Sequence, residues 1–528
     1  MDKKRELPPM HNPPDRVLKL TENGSMLFDP CVLDRRPYPW PIEPFLTAKL
    51  SRKIHNSLWD IGPSDEGLTA KLLSSLSSLA GRLAIAISTV ALAEKAYKFK
   101  LEGFYFDPNL PLIPCGKTKR DEFSSQLNPM DRIIDFFAYF FQKLFFLLYG
   151  FYSFKILNLA VNKNHIYAKE DMGNIFVVRR LRAVFENQPS LNKDEIEECQ
   201  KISSLFAKSC FHIAKNEGID LNQKRQEEIE NLIYSHLSQY LIDYKLVSRF
   251  TGNRKFNFYA GSLSAYRPGL FALHSKLTGG MVYGTCHGVG TFTNSEPELS
   301  VLVNANVFKA PNEIIEKDVE SFLLEIPEFS RDVRIENANM GTVFYDRKVK
   351  SPRPQNIKCI AVMGRTIMPR IAAFNSMSFA VYLELEKRIC LMLKDMDYEV
   401  IFKAHPESDW KYFESYFGPD IDVEYRPFHE VVNGYDAVFY DFAVSTTLTY
   451  SMYEGLHIFM LADGWHDQVY WNDRMRKALN SRCNFIPGKV GDDGFINFDE
   501  TVLEDTLKNP KKFKTESVLN FLGDNSVK

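Results

Sequence analysis

The chain lacks the marks of several common protein classes. It carries 8 Cys in 528 residues, and no two form a C-x-x-C pair. That excludes a disulfide framework and a cysteine zinc site, and it fits reduced thiols in a cytoplasm. There is no G-x-x-x-x-G-K-[ST] phosphate loop, so the P-loop nucleotide mode is out. Neither sign of charge dominates: 65 Lys and Arg stand against 67 Asp and Glu. No global pull toward nucleic acid follows from a net charge of -2. The first residues, Met1-Asp2-Lys3-Lys4-Arg5-Glu6, are charged but no apolar core follows them, which argues against a secretory leader. His274, His429, His457 and His466 fall at no metal-ligand spacing with a nearby acid. Asp420-Ile421-Asp422 matches a D-x-D string but follows Gly418-Pro419 and precedes a short strand expected at 423–425. It reads as a turn and strand entrance. Neither a metal nor another cofactor is expected.

What is present is aromatic and periodic. Aromatic residues make up 13% of the chain, and Phe alone numbers 41. At this length two or three domains are expected. Residues 1–64 hold Pro8, Pro9, Pro13, Pro14, Pro37, Pro39, Pro41 and Pro44 and read as an extended N-terminal segment. Residues 65–250 read as mainly helical: Leu68 to Lys100 is uninterrupted by Pro, and two charged amphipathic helices are expected between 192 and 250.

Inside that region, 133–154 holds eleven aromatic residues among 22. Aromatic side chains favour the membrane–water interface, and Lys117, Lys119 and Arg120 lie upstream. An in-plane membrane contact and a helix buried in an N-terminal domain both fit. A spanning helix is opposed by Asp135, Gln142 and Lys143.

From Asn257 the texture changes to short apolar runs alternating with helical patterns, the signature of βαβ units. A first series spans 251–350, with strands at 281–286 and 299–308 and helices at 267–277 and 312–326. Pro352-Arg353-Pro354 reads as a linker. A second series spans 355–528, with strands at 358–363, 398–402, 423–425, 437–440 and 458–461. Helices are expected between them at 376–396, 409–417, 429–433 and 447–454. The fold class is therefore α/β, with two Rossmann-like domains behind a largely helical N-terminal extension.

The chemistry concentrates where strands of the second series end. Proline holds the residue before it in extended geometry, so His405-Pro406 presents His405 at a strand end. Ser445, Thr446 and Thr447 follow the strand 437–440 and open a helix. Hydroxyls and free N–H groups at a helix start suit a phosphate. Glu454 lies seven residues past Thr447 on the same helix face, where a carboxylate would accept from ribose hydroxyls. Arg365 and Lys403 also close strands, and their cations suit phosphate oxygens. In the first series, Cys286-His287-Gly288-Val289-Gly290 follows a strand. Gly288 and Gly290 let backbone approach a ligand, and the His287 imidazole can take a proton from a hydroxyl at neutral pH. Each residue also has a plain structural reading: a local turn, a cap or a surface cation.

Taken together, His405-Pro406, Asp441 with Ser445-Thr446-Thr447, and Glu454-Gly455 resemble the C-terminal domain of GT-B glycosyltransferases. The nearest look-alikes are bacterial capsule and surface-polysaccharide transferases, both polysialyltransferase-like enzymes and polyol-phosphate polymerases of teichoic-acid type. The resemblance covers residues 255–475. It implies a nucleotide-sugar donor held by its phosphates, a saccharide or glycolipid acceptor, His287 as base, and inversion without metal. It also implies a place on the inner face of the cytoplasmic membrane. Cys286 departs from the aromatic residue that precedes His-Gly in the polyol-phosphate enzymes. Rival readings are a CDP-polyol phosphotransferase, a nucleotide-sugar epimerase, and a non-catalytic membrane-docking subunit of a polysaccharide assembly complex.

Overall fold

A computed structural model describes residues 18–20, 26–28, 44–61, 75–76, 79–80, 83–84, 87, 103–104, 137, 139–144, 157–160, 175–178, 184–185, 189–252, 254–260, 266–285, 302, 304–310, 313–324, 333–337, 350–364, 379–405, 416–441, 446–462, 473–491 and 495–513. Two parallel sheets organise the described chain. A small third sheet joins β1 (Leu18–Leu20), β2 (Met26–Phe28) and β3 (Gly103–Phe104).

The first large sheet has six strands. They are β4 (Leu157–Ala160), β5 (Ile175–Val177), β6 (Phe256–Ala260), β7 (Val282–Thr285), β8 (Val307–Ala310) and β9 (Arg334–Asn337), ordered β5-β4-β6-β7-β8-β9 and parallel throughout. The sheet begins near 157, inside the stretch read as mainly helical; β4 and β5 are only four and three residues long. Such strands carry no periodic signal of their own and exist through their partners. The apolar run 299–308 is likewise shorter as strand than expected, since residues 302 and 304 are helical and β8 opens only at Val307.

Helix α1 (Pro44–Asp60) overturns the extended reading of the end of the Pro-rich segment. Pro44 stands at its first position, where the missing N–H costs nothing, and Leu50, Ile54 and Leu58 are buried at helical spacing. Residues 76, 79, 80, 83, 84 and 87 are helical and buried, as their spacing predicts. Between β5 and β6 stand the two expected long helices. Helix α2 (Lys193–Asn216) opens on a capping box of Asn192 with Glu195. Helix α3 (Gln223–Thr251) is capped by Asn222 and ends on Gly252 in left-handed geometry. Helices α4 (Tyr266–Leu277) and α5 (Glu313–Leu324) lie at the expected places in the first βα series.

The second large sheet has seven strands. They are β10 (Cys359–Met363), β11 (Glu399–Lys403), β12 (Asp422–Glu424), β13 (Ala437–Tyr440), β14 (His457–Ala462), β15 (Asn484–Val490) and β16 (Ile496–Phe498), ordered β12-β11-β10-β13-β14-β15-β16. Pairing is parallel except for β15 with β16. In chain order the first six strands run 3-2-1-4-5-6, a doubly wound α/β order. Helices α6 (Phe379–Asp395), α7 (Phe428–Val431), α8 (Thr446–Tyr453), α9 (Asp473–Asn480) and α10 (Glu500–Lys508) accompany it.

Alternate residues of the central strands enter two apolar clusters. Cys359, Ala361, Met363, Val438, Tyr440, Ile458 and Met460 join a cluster that also holds Phe256, Phe258 and Phe308 of the first sheet. Ile360, Val362, Ala437, Phe439, Phe459 and Leu461 join the cluster on the opposite face. A parallel strand buried on both faces reads as an unbroken apolar run, which is why β10 and β13 were legible.

The linker 350–358 is pinned to the α8–β14 turn. Lys350 N donates to Tyr453 O and Arg353 N donates to Gly455 O, each at 2.8 Å. His457, 3% exposed, sets Nε2 at 3.2 and 3.1 Å from the carbonyls of Arg353 and Pro354. Carbonyls only accept, so Nε2 carries the proton of a neutral ring. Burial pulls the His457 pKa below its ordinary 6.5; the two carbonyls oppose that shift, nearby Arg482 adds to it and Asp436 opposes it. A folded pKa below the unfolded one leaves stability intact above pH 6.5 and erodes it as pH falls below that value. The wild type is expected to lose more stability between neutral pH and pH of about 5 than His457→Gln, which keeps a donor but does not titrate. Urea denaturation at both pH values measures this, and equal losses would contradict the neutral clamp.

Candidate functional site

The order 3-2-1-4 places a crevice between β10 and β13, at the carboxyl ends of the strands, where open α/β sheets bind ligands. Three strand ends meet there. Gly364 closes β10, and its N–H donates to Lys403 O at 2.9 Å, continuing the ladder. A Cβ at Gly364 would lie 2.4 Å from Cζ of Phe402, so only glycine lets this strand end pass the ring. His405 follows β11 and is half-buried. Asp441 follows β13 and is 2% exposed. Helix α8 then starts at Thr446, five residues past Asp441.

Several expected ligands face elsewhere. The Thr447 hydroxyl accepts from Tyr440 Oη at 3.1 Å, Tyr440 Oη lies 3.0 Å from Ser451 Oγ, and Ser451 Oγ donates to Thr447 O at 2.8 Å. Tyr440 is buried in the core, so its bond to Thr447 ties the helix to its strand. Lys403 is 3% exposed, and Nζ donates to Ala404 O at 2.7 Å and Glu424 O at 3.2 Å. Burial lowers its pKa, against the pull of the Glu424 carboxylate. Lys403 therefore fastens β11 to the edge strand β12. Arg426 in turn holds Glu424, with Nε 3.1 Å from each carboxylate oxygen.

Glu454 lies apart from the strand ends just described. It shares a helix face with Thr447, but α8 spans eight residues, about 12 Å at 1.5 Å per residue. Glu454 comes just past its last turn, next to β14, whose first residue His457 pairs with Ala437 at the amino end of β13. It is 2% exposed and ion-paired with Lys350 of the linker. Glu454 thus lies at the amino end of the sheet, where it holds the linker.

Asp422 opens β12 after the Gly418 turn, as expected of the D-x-D string. Among the described residues no cluster of three or more His, Cys, Asp or Glu is placed to hold a metal. His287, Gly288, Gly290, Arg365 and Ser445 lie outside the described residues, as does the Thr446 side chain. Gly364 and Asp441 each immediately follow an apolar strand, which is the sequence signal that marks their position. No protein-family model, no curated protein and no solved structure matches this chain.

Proposed function

We propose that the chain is a metal-independent, inverting glycosyltransferase of GT-B-like build that takes a nucleotide-activated sugar to a saccharide or glycolipid acceptor. The observation that carries this reading is the convergence of Gly364, His405, Asp441 and the start of α8 on one crevice of a 3-2-1-4-5-6 sheet. The N–H groups at the start of α8, with Ser445, Thr446 and His405, hold the donor phosphates and stabilise negative charge as the leaving group departs. The acceptor hydroxyl attacks the anomeric carbon. The new glycosidic C–O bond forms as the bond from that carbon to the phosphate oxygen breaks, and the hydroxyl proton passes to His287. The nucleotide leaves with the electron pair.

Thermal denaturation with CMP, CDP, UDP and GDP tests donor binding, because a ligand that binds only the folded state raises the melting temperature. One nucleotide is expected to shift the melt, and His405→Ala is expected to weaken it tenfold to a hundredfold, roughly 1.5–3 kcal/mol for a hydrogen bond to a charged group. A folded His405→Ala protein with unchanged calorimetric affinity would remove His405 from the site. No shift with any of the four would end the reading.

A further inference from the structure

We propose that the helical residues 137 and 139–144 form an in-plane docking stripe for an anionic lipid surface. Phe137, Phe140, Phe141 and Leu144 recur at i, i+3, i+4 and i+7 and so share one face. They are 50, 50, 61 and 36% exposed. At ~200 Å² per aromatic side chain the stripe offers roughly 350 Å² of apolar surface, the size at which exposed patches mark interaction sites. The rings associate with each other: Phe137 stacks on Phe141 at 6.2 Å, and Phe140 meets Phe141 edge-on at 5.8 Å.

The opposite face is fixed to the protein. Tyr139 lies 5.7 Å from Phe250, a 1%-exposed ring near the end of α3, and Lys143 sets its ammonium 5.8 Å from the Tyr139 ring. Tyr139 therefore anchors this segment to the protein while its aromatic face stays exposed. Such an exposed face suits a helix lying in a headgroup layer. Among the described residues no helix is long and apolar enough to cross a membrane.

Charge selects the occupant. Between 117 and 155 six Lys and Arg stand against four Asp and Glu, a local excess of +2 in a chain of net -2. The aromatic run continues with Phe145, Phe146, Tyr149, Phe151, Tyr152 and Phe154, a composition suited to the depth where headgroups meet acyl chains. A protein partner would find no polar group on the stripe to pair with.

The test uses the full-length protein with phosphatidylcholine vesicles, with and without one-third phosphatidylglycerol, at low and high salt. The wild type is expected to sediment with anionic vesicles, and salt is expected to release only part of it, because apolar insertion survives screening. Phe140→Ser with Phe141→Ser is expected to cut partitioning about tenfold or more, since two large apolar side chains leave the interface. Both positions are exposed, so the melting temperature should hold. Tyr139→Ser is the contrast: it should lower the melting temperature by loosening the anchor. A wild type that stays in the supernatant with both vesicle types would overturn the proposal. So would a double variant that sediments like wild type, or one whose only change is from dimer to monomer. Nucleotide-induced melting shifts, measured in the same samples, report on the donor site separately.

Discussion

His287→Ala is expected to lower sugar transfer by about 10²–10⁴-fold, the usual contribution of a positioned general base, while nucleotide affinity stays near wild type. His287 lies two residues beyond β7, a strand of the first sheet, whereas His405 and α8 belong to the second. Removing a group from the acceptor side takes away proton transfer without touching the phosphate grip. The measurement is product formation under saturating donor, alongside calorimetry of nucleotide binding. More than about a tenth of the wild-type rate would rule out general-base catalysis by this residue. A parallel loss of nucleotide affinity would move His287 into the donor site.

Gly455→Ala is expected to destabilise the protein by about 2–5 kcal/mol, combining the strain of left-handed backbone with a steric clash. Gly455 has φ +69, and an added Cβ would lie 2.3 Å from Ser351 O and 3.0 Å from its carbonyl carbon. The obstacle is backbone, so no rotamer relieves it. Gly455 O also accepts from Arg353 N, and Glu454 beside it pairs with Lys350. The substitution therefore pushes the linker away from the second sheet. Urea denaturation reads the effect. A loss under about 1 kcal/mol would mean the linker moves aside at little cost, so that its docking contributes little to the fold.

The central strands of the second βα series, β10, β11, β13 and β14, were legible because they are largely buried on both faces, whereas β15, β16, α9 and α10 were not read from the sequence. Sequences such as Ala437-Val438-Phe439-Tyr440 are apolar at every position, and the residues after them stand out as strand ends. That is how His405 was read at a strand end. The strands β4, β5 and β9 were not legible. They are three or four residues long, and β9 is partly exposed, so only pairing with a neighbour makes them strands.

The sequence alone determined the alternation of elements, the caps of α2 and α3, and the strand-end positions, because these depend on residues near one another in the chain. Tertiary structure alone decided strand order and the direction of each polar side chain. Helical periodicity brought Thr447 and Glu454 to one face, but not how far apart they lie or what they meet. Packing against Tyr440 turned the Thr447 hydroxyl inward, and the return of the chain along α8 carried Glu454 to the linker. Lys403 closes its strand as the sequence predicts, yet burial and two carbonyl acceptors hold its ammonium along β12. A buried polar group goes where its hydrogen bonds are satisfied, and distant parts of the chain supply those partners.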